Sequence, residues 1–137
     1  MVKNFGQLSS GETAHLYSLM TDMLRICVTD FGGTLVSVEV KDKSGKFVDI
    51  TLGYDDVAGY ENDNDCFGFN IGRNANRISN AQFTLNNIKY VLAKNDGENN
   101  LHSGPHLFSK RMWHVTEYRD DSIIFEIESL HLDQGFP

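Results

Sequence analysis

The 137-residue sequence has little of what marks a nucleic-acid-binding, membrane or secreted protein. Lys and Arg total 12 against 19 Asp and Glu, and the resulting net charge of −7 disfavours nucleic acid and anionic membranes, because both attract clustered basic residues. No run approaches the roughly 18 apolar residues of a membrane helix. The residues after Met1 lack the apolar segment of a signal peptide. We therefore expect a cytoplasmic protein with neither nucleic acid nor membrane as partner.

Cysteine is also scarce. Cys27 and Cys66 are the only two, which excludes a disulfide framework, and their spacing matches no metal-binding motif. Cys27 lies in an apolar, strand-like run, so we expect a buried, reduced thiol. The sequence therefore gives no indication of an oxidising compartment.

A helical metal site is excluded at the one pair of histidines with suitable spacing. His102 and His106 stand four residues apart, but Gly104 and Pro105 between them prevent the helix that such a pair needs. We predict neither a metal nor an organic cofactor.

Long helical patterns are missing as well, and the best helical candidate is a single turn at residues 56–58. Apolar residues instead recur at every second position, which is typical of strands. Residues 15–19 and 24–28 predict a first hairpin, and residues 59–65 predict a polar surface loop. About ten short strands at near-regular spacing predict an all-β, large antiparallel β-sandwich.

A central hairpin is predicted where apolar residues alternate on both sides of Asn86 and Asn87. Asparagine suits the positive φ that both turn positions of a two-residue hairpin require. The alternating residues are Phe83, Leu85, Ile88, Tyr90 and Leu92. Such a hairpin would bring its polar flanks, residues 72–78 and 99–104, toward each other. Two arginines, several amides and a histidine would then meet at one end of a sheet, which is a site-like arrangement.

These flanks also carry a family resemblance through three motifs. They are Gly-Arg-x-Ala-Asn-Arg-Ile at residues 72–78, Asn-Leu-His-x-Gly at 100–104 and Lys-Arg-x-Trp at 110–113. In order, spacing and residue type, the three resemble aldose 1-epimerase, the galactose mutarotase family. Residues 30–35 and 52–54 are similar to the family's N-terminal strands, so the resemblance covers essentially the whole chain.

The resemblance implies a galactose mutarotase-like β-sandwich and an isomerase that interconverts the α and β anomers of an aldohexose, galactose or glucose. It implies that Asn76, Arg77 and His102 contact the sugar. An arginine can hold two oxygens with its planar fork. A histidine can donate or accept near neutral pH, so His102 could also assist proton movement as an auxiliary group.

Each of these residues has a plainer interpretation. Taken alone, an arginine is more often a surface residue or a salt-bridge partner than a ligand contact. A single loop histidine is usually structural or solvated, and Asn76 could cap a turn. The matched motifs favour sugar contact for Arg77 and His102. Arg73 is expected to brace the loop through a salt bridge or carbonyl contacts, and Trp113 to lie in the core.

Two departures from the family stand out. Ser103 replaces a glycine commonly found after the histidine, which either narrows loop freedom or adds a hydroxyl near the sugar. Family members are roughly twice this length. Their proton-donating histidine and glutamate base fall beyond Pro137, and no residue here matches either.

We therefore expect residues 1–137 to be the N-terminal part of a single mutarotase-like sandwich domain, truncated at its C-terminus and supplying part of the sugar pocket. An open sheet edge left by such a cut predicts self-association. The alternative is a non-catalytic carbohydrate-binding β-sandwich. A relative acting on sugar phosphates would need more cationic groups around the pocket, and Arg73 and Lys110 do not decide that question.

Overall fold

The computed structural model describes residues 1–137, and strands dominate it. In chain order the strands are β1 Val2–Gln7, β2 Thr13–Met20, β3 Leu24–Thr29, β4 Thr34–Lys41, β5 Phe47–Asp49, β6 Arg77–Ile78, β7 Gln82–Leu85, β8 Ile88–Val91, β9 Asn100–Leu101, β10 His114–Tyr118 and β11 Ile123–Glu126. The single α-helix, α1, is Val57–Asn62. The chain divides into a first unit, residues 1–70 and 112–127, and a second unit, residues 71–111 and 128–137.

The first unit contains a five-stranded sheet in the order β1-β2-β3-β4-β5, in which every neighbouring pair is antiparallel. Strands β2 and β3 form the first hairpin that alternation predicts. Strand β1 is not marked by alternation, because Phe5 is its only buried residue. Strands β1 and β5 are the sheet's edges. Self-association through such an edge stays a prediction.

The helix α1 corrects the sequence-based prediction for this segment. Asp56 caps its N-terminus by accepting a hydrogen bond from the Gly59 N–H at 3.0 Å. The helix then continues to Asn62, through residues that the pattern assigns to a polar loop. Tyr60 lies one turn after Val57 on the same face, and both are almost completely buried. Tyr60 also packs on Phe5 with ring centroids 5.9 Å apart, so tertiary burial outweighs the polar local composition.

This helix completes the larger apolar core of the first unit. The buried members are Phe5, Leu8, Ala14, Leu16, Phe31, Val36, Val57 and Tyr60. Cys27 is half-buried rather than buried, because it shares its sheet face with Ser18 and Ser37 and lines a groove there. Both cysteines are free thiols.

Trp113 is half-buried, which corrects the expectation of a core position. It lies one residue before β10, and its N–H donates to the Asp30 carbonyl at 2.8 Å. Its ring packs against Gly33, where an added Cβ would come within 3.3 Å of Cε3. Glycine at that position therefore permits the close approach of the indole.

The second unit contains the central hairpin, β7 paired with β8. Asn86 and Asn87 have φ values of 51° and 61°, so both turn positions are left-handed, and the predicted hairpin is confirmed. Phe83 stacks on Tyr90 across the strands at 5.3 Å. A small core of Ala81, Leu92 and Phe136 lies in this unit, with Ile78 and Phe83 packed against it.

No helix in the structure has both the length and the apolar character needed to cross a membrane. The cytoplasmic location stays a prediction.

Candidate functional site

A short two-stranded ladder brings the two polar flanks of the central hairpin together. Strand β6 pairs antiparallel with β9, so that Arg77 lies opposite Leu101 and Ile78 lies opposite Asn100. His102 directly follows Leu101, the residue that pairs with Arg77, so Arg77 and His102 lie close together. The structure therefore brings all three predicted sugar-contacting residues, Asn76, Arg77 and His102, to one end of this ladder.

Asn76 and His102 are joined by two reciprocal hydrogen bonds. The His102 N–H donates to the Asn76 carbonyl at 3.0 Å, and the Asn76 N–H donates to His102 Nδ1 at 3.0 Å. A ring nitrogen that accepts a hydrogen bond carries no proton, so the neutral imidazole bears its proton on Nε2. His102 is half-buried, and the ring nitrogen that can donate to a ligand is Nε2.

Arg77 is exposed and paired with Asp96, a residue that no sequence motif indicates. The Arg77 Nε donates to Asp96 Oδ2 at 2.6 Å. The hydrogen bond from Arg77 lowers the pKa of Asp96 below its usual value, and Asp96 in turn raises the pKa of Arg77. The available signal was a carboxylate in the polar loop that precedes His102. That signal is weak, because polar loops commonly contain aspartate.

The backbone of the site adopts conformations that are uncommon for residues with side chains. Asn76, His102 and Ser103 have φ values of 62°, 55° and 59°. Asparagine tolerates the left-handed region better than most residues, whereas histidine and serine are held there at a cost. Strained backbone of this kind clusters at functional sites and persists only where the surroundings enforce it.

Ser103 supplies part of that enforcement. Its side chain is almost completely buried, and its hydroxyl accepts from the Asn74 N–H at 2.8 Å and donates to the Asn74 carbonyl at 3.1 Å. Of the two interpretations of this departure from the family pattern, the structure favours restricted loop freedom. The hydroxyl is committed to the backbone of the opposite flank.

Two asparagines fix the loop that leads into His102. Asn95 accepts from the Leu101 N–H at 2.7 Å and donates to the Leu101 carbonyl at 2.9 Å. The fully buried Asn100 donates to the carbonyls of Ala93 and Gly104 at 2.8 and 3.0 Å. A Cβ at Gly104 would lie 2.2 Å from Asn95 Nδ2, so a larger residue there would displace the Asn95 side chain from its bonds to Leu101. The loop is therefore a rigid support.

Arg73 braces the loop, as predicted. Its Nε donates to the Ser129 hydroxyl at 2.9 Å, and its Nη2 donates to the carbonyls of Ser129 and Leu130 at 3.0 and 2.7 Å. Its Nη1 donates to the Pro137 carbonyl. These contacts satisfy the guanidinium with backbone and hydroxyl oxygens, so Arg73 contributes to structure within this unit.

A second arginine fixes the last residues of the chain. Arg111 contacts both oxygens of Asp133, at 2.7 and 2.9 Å. Hydrogen bonds from Arg111 are the main reason that the pKa of Asp133 is far below its usual value. The Arg111 guanidinium also lies 5.0 Å from the centre of the Phe108 ring. Bidentate pairing of this kind is stronger than a single contact.

Comparisons with known proteins agree with this architecture. A family model described as aldose 1-epimerase matches residues 15–137. Galactose mutarotase from Bos taurus is 37% identical over 134 residues, which are 97% of this chain and 39% of the relative. The Homo sapiens galactose mutarotase is 35% identical with the same coverage. Aldose 1-epimerase from Escherichia coli K12 is 34% identical over 112 residues, 82% of this chain and 32% of that protein.

Solved structures show the same similarity. A GalM/aldose epimerase homologue from C. elegans superposes with a TM-score of 0.83 at 30% identity, covering 89% of this chain and 38% of that one. Galactose 1-epimerase from Lactobacillus acidophilus NCFM gives a TM-score of 0.73 at 21% identity over 88% and 34% of the two chains, which supports the fold. These matches confirm the predicted galactose mutarotase-like all-β sandwich class. The chain spans about two-fifths of the length of the mutarotases it matches, and it belongs to the aldose 1-epimerase family.

Proposed function

We propose that the chain supplies part of the sugar pocket of an aldose 1-epimerase, which interconverts the α and β anomers of galactose or glucose. The observation that carries the proposal is the set of donors at the end of the β6–β9 ladder. Arg77 offers its Nη groups, because Asp96 binds only its Nε, and His102 offers an Nε2–H. Both side chains are accessible, and both are held by other residues before any ligand binds.

Fixed donors suit the proposed reaction. In mutarotation a base removes the C1 hydroxyl proton while an acid protonates the ring oxygen, so that the C1–ring-oxygen bond breaks and an aldehyde forms. Rotation about the C1–C2 bond and reclosure then give the other anomer. Donors that hold the sugar's oxygens in place keep the opened chain oriented for reclosure. In the proposal Arg77, His102 and the side chain of Asn76 perform this holding.

The proposal assigns the catalytic acid and base to residues outside this chain. The proposal treats residues 1–137 as the N-terminal part of a single mutarotase-like sandwich domain. The family's proton-donating histidine and glutamate base are assigned to sequence outside these residues. His102 serves as an auxiliary donor, since its Nδ1 already accepts from the Asn76 N–H. No metal or organic cofactor takes part.

Galactose binding to wild type and Arg77→Ala tests the pocket. We expect the wild-type chain to bind galactose in an NMR titration and Arg77→Ala to lose at least tenfold in affinity, because two charge-assisted donors disappear. The matched control is Arg119→Ala, which removes an exposed arginine that pairs with Glu117 in the first unit. Equal affinities for wild type and Arg77→Ala would contradict the proposed pocket.

The rate of anomer exchange tests the activity. Polarimetry of freshly dissolved α-galactose is followed with the 137-residue chain and with the gene product as it occurs in its source. The proposal expects acceleration by the gene product. If the gene product binds galactose without accelerating exchange, the non-catalytic carbohydrate-binding sandwich replaces the epimerase.

A further inference from the structure

We propose that Asp96 is a positioning and specificity-determining residue, which orients Arg77 by binding its Nε and keeps the site neutral so that it prefers uncharged sugars. This inference rests on the proposed function, because it concerns how the same residues would receive a sugar. Asp96 itself touches Arg77 and is not assigned a contact with the substrate.

The orientation of the guanidinium carries the first step. An arginine has one Nε–H and four Nη–H donors in a fixed plane. Asp96 Oδ2 takes the Nε–H at 2.6 Å. The remaining contact, from Nη1 to Asn76 Oδ1, is 3.5 Å long and therefore weak. The Nη edge is thus left available, and its direction is set by the carboxylate at the opposite edge.

Asp96 is itself held in place. Its N–H donates to the Asn99 carbonyl at 3.2 Å, and the Asn99 N–H donates back to the Asp96 carbonyl at 3.0 Å. The preceding Asn95 makes two hydrogen bonds to Leu101, which lies opposite Arg77 in the ladder. The loop that carries Asp96 is therefore tied to β9, while Arg77 lies on β6 of the same ladder.

The charges at this site nearly cancel. Asp96 offsets Arg77, and His102 is a neutral donor when Nδ1 accepts from Asn76. Lys94, on the same loop, pairs with Glu98. Arg73 donates to Ser129, Leu130 and Pro137. At the Nη edge an anionic sugar would be attracted by Arg77 and repelled by Asp96, so the pair offers it little net attraction, whereas a neutral sugar needs only the Nη–H donors.

A purely structural role for Asp96 would predict that its removal lowers the unfolding midpoint of the chain. An ion pair as exposed as this one, with 55% of the Arg77 side chain and 34% of the Asp96 side chain accessible, contributes little to stability. Removing Asp96 should therefore leave the unfolding midpoint almost unchanged. Its effect should instead appear in the affinity and selectivity of sugar binding.

The experiment uses Asp96→Ala and Asp96→Asn in the full chain, with Glu117→Gln as the control, which removes an exposed carboxylate paired with Arg119 in the first unit. Galactose affinity should fall about tenfold for Asp96→Ala and less for Asp96→Asn, whose amide oxygen can still accept from Nε. Galacturonate affinity relative to galactose should rise several-fold in both variants, because the negative charge is gone. Glu117→Gln should change neither the galactose affinity nor the affinity for galacturonate relative to galactose.

Two further readouts separate positioning from other roles. In the Arg77→Ala background, Asp96→Ala should cause no additional loss of galactose affinity, because its effect passes through Arg77. The Arg77 Nε–H resonance in ¹⁵N NMR should be protected from solvent exchange in the wild type and lost in Asp96→Ala, with or without sugar. A resonance that Asp96→Ala leaves unchanged, or equal losses of affinity in both backgrounds, would overturn the inference.

This design keeps the two proposals apart. If the wild-type chain does not bind galactose, the proposed pocket fails, and the selectivity part of the inference fails with it. The Nε–H resonance still decides whether Asp96 fixes Arg77. If galactose binds but its selectivity against galacturonate is unaffected by Asp96→Asn, the proposed function stands and the specificity role of Asp96 is rejected.

Discussion

The two units of the chain are stabilised by different kinds of contact. The first unit has a core of eight buried residues with apolar side chains, centred on the five-stranded sheet and α1. The second unit has only three such residues. It relies instead on polar side chains that hydrogen-bond to backbone groups, as Asn95, Asn100 and Ser103 do. Hydrogen bonds weaken steeply when their distances or angles change, so these contacts define the geometry of the loop.

The difference suits the proposed site. A ladder of two residues on each strand cannot bury enough apolar area to fix itself. Fixed donors that receive a ligand require a support with defined geometry. In the second unit that support is polar. The stability of this unit should therefore be most sensitive to substitution at Asn100, at Ser103 and at the largely buried Arg111–Asp133 ion pair.

The largest expected effect is at Asn100. Replacement by leucine conserves volume roughly but removes both donors, so that the buried carbonyls of Ala93 and Gly104 lose their partner. We expect the free energy of unfolding to fall by about 3 kcal/mol. Urea unfolding followed by circular dichroism measures this change.

Asn100→Asp is the matched variant, since it conserves shape and removes the donors. Asn100→Asp should lower the free energy of unfolding at least as much as Asn100→Leu does. Leucine also removes Oδ1, but this atom has no hydrogen-bond partner, so its removal breaks no hydrogen bond and spares a buried polar atom, whereas aspartate retains it. A leucine variant as stable as the wild type would mean that apolar packing, rather than hydrogen bonding, supports this loop.

The next effect depends on pH and concerns Asp133. A carboxyl whose pKa is lowered in the folded state stabilises the fold above its unfolded pKa of about 4, and loses that contribution as the pH falls below it. The hydrogen bonds from Arg111 lower the pKa of Asp133 in this way. We expect Asp133→Asn to cost about 2 kcal/mol at pH 6 and clearly less at pH 3. Urea unfolding at the two pH values checks this expectation.

The control for that pH dependence is Glu117→Gln, which removes an exposed carboxylate paired with Arg119. It should change stability little at either pH. If the cost of Asp133→Asn were the same at pH 6 and pH 3, the Arg111 contact would not be the source of the stabilisation.

Much of the fold could be predicted because burial follows simple periodicity. Alternation marks the β2–β3 hairpin, and Asn86 and Asn87 mark the turn of the central hairpin through their tolerance of positive φ. Motif order placed Asn76, Arg77 and His102 near one another. Periodicity says nothing about Tyr60, because its burial depends on Phe5, which is distant in sequence.

The contacts that support the site could not be predicted from the sequence, for a related reason. The hydrogen bond to His102 Nδ1 joins two residues with left-handed backbone, Asn76 and His102, and the next residue, Arg77, pairs with Asp96. Residues other than glycine and asparagine give little local indication of a left-handed backbone. These contacts also join segments 19 and 26 residues apart.

The smallest expected effect is at Ser103, where two substitutions separate backbone strain from hydrogen bonding. Ser103→Ala loses both bonds to Asn74 and keeps a side chain at a φ of 59°, so we expect a loss of about 1.5 kcal/mol. Ser103→Gly loses the same bonds but relieves the left-handed strain, which should recover about 1 kcal/mol. Urea unfolding of the two variants measures the difference. Equal stabilities would mean that the backbone at Ser103 is not strained and that the hydroxyl alone fixes the flank.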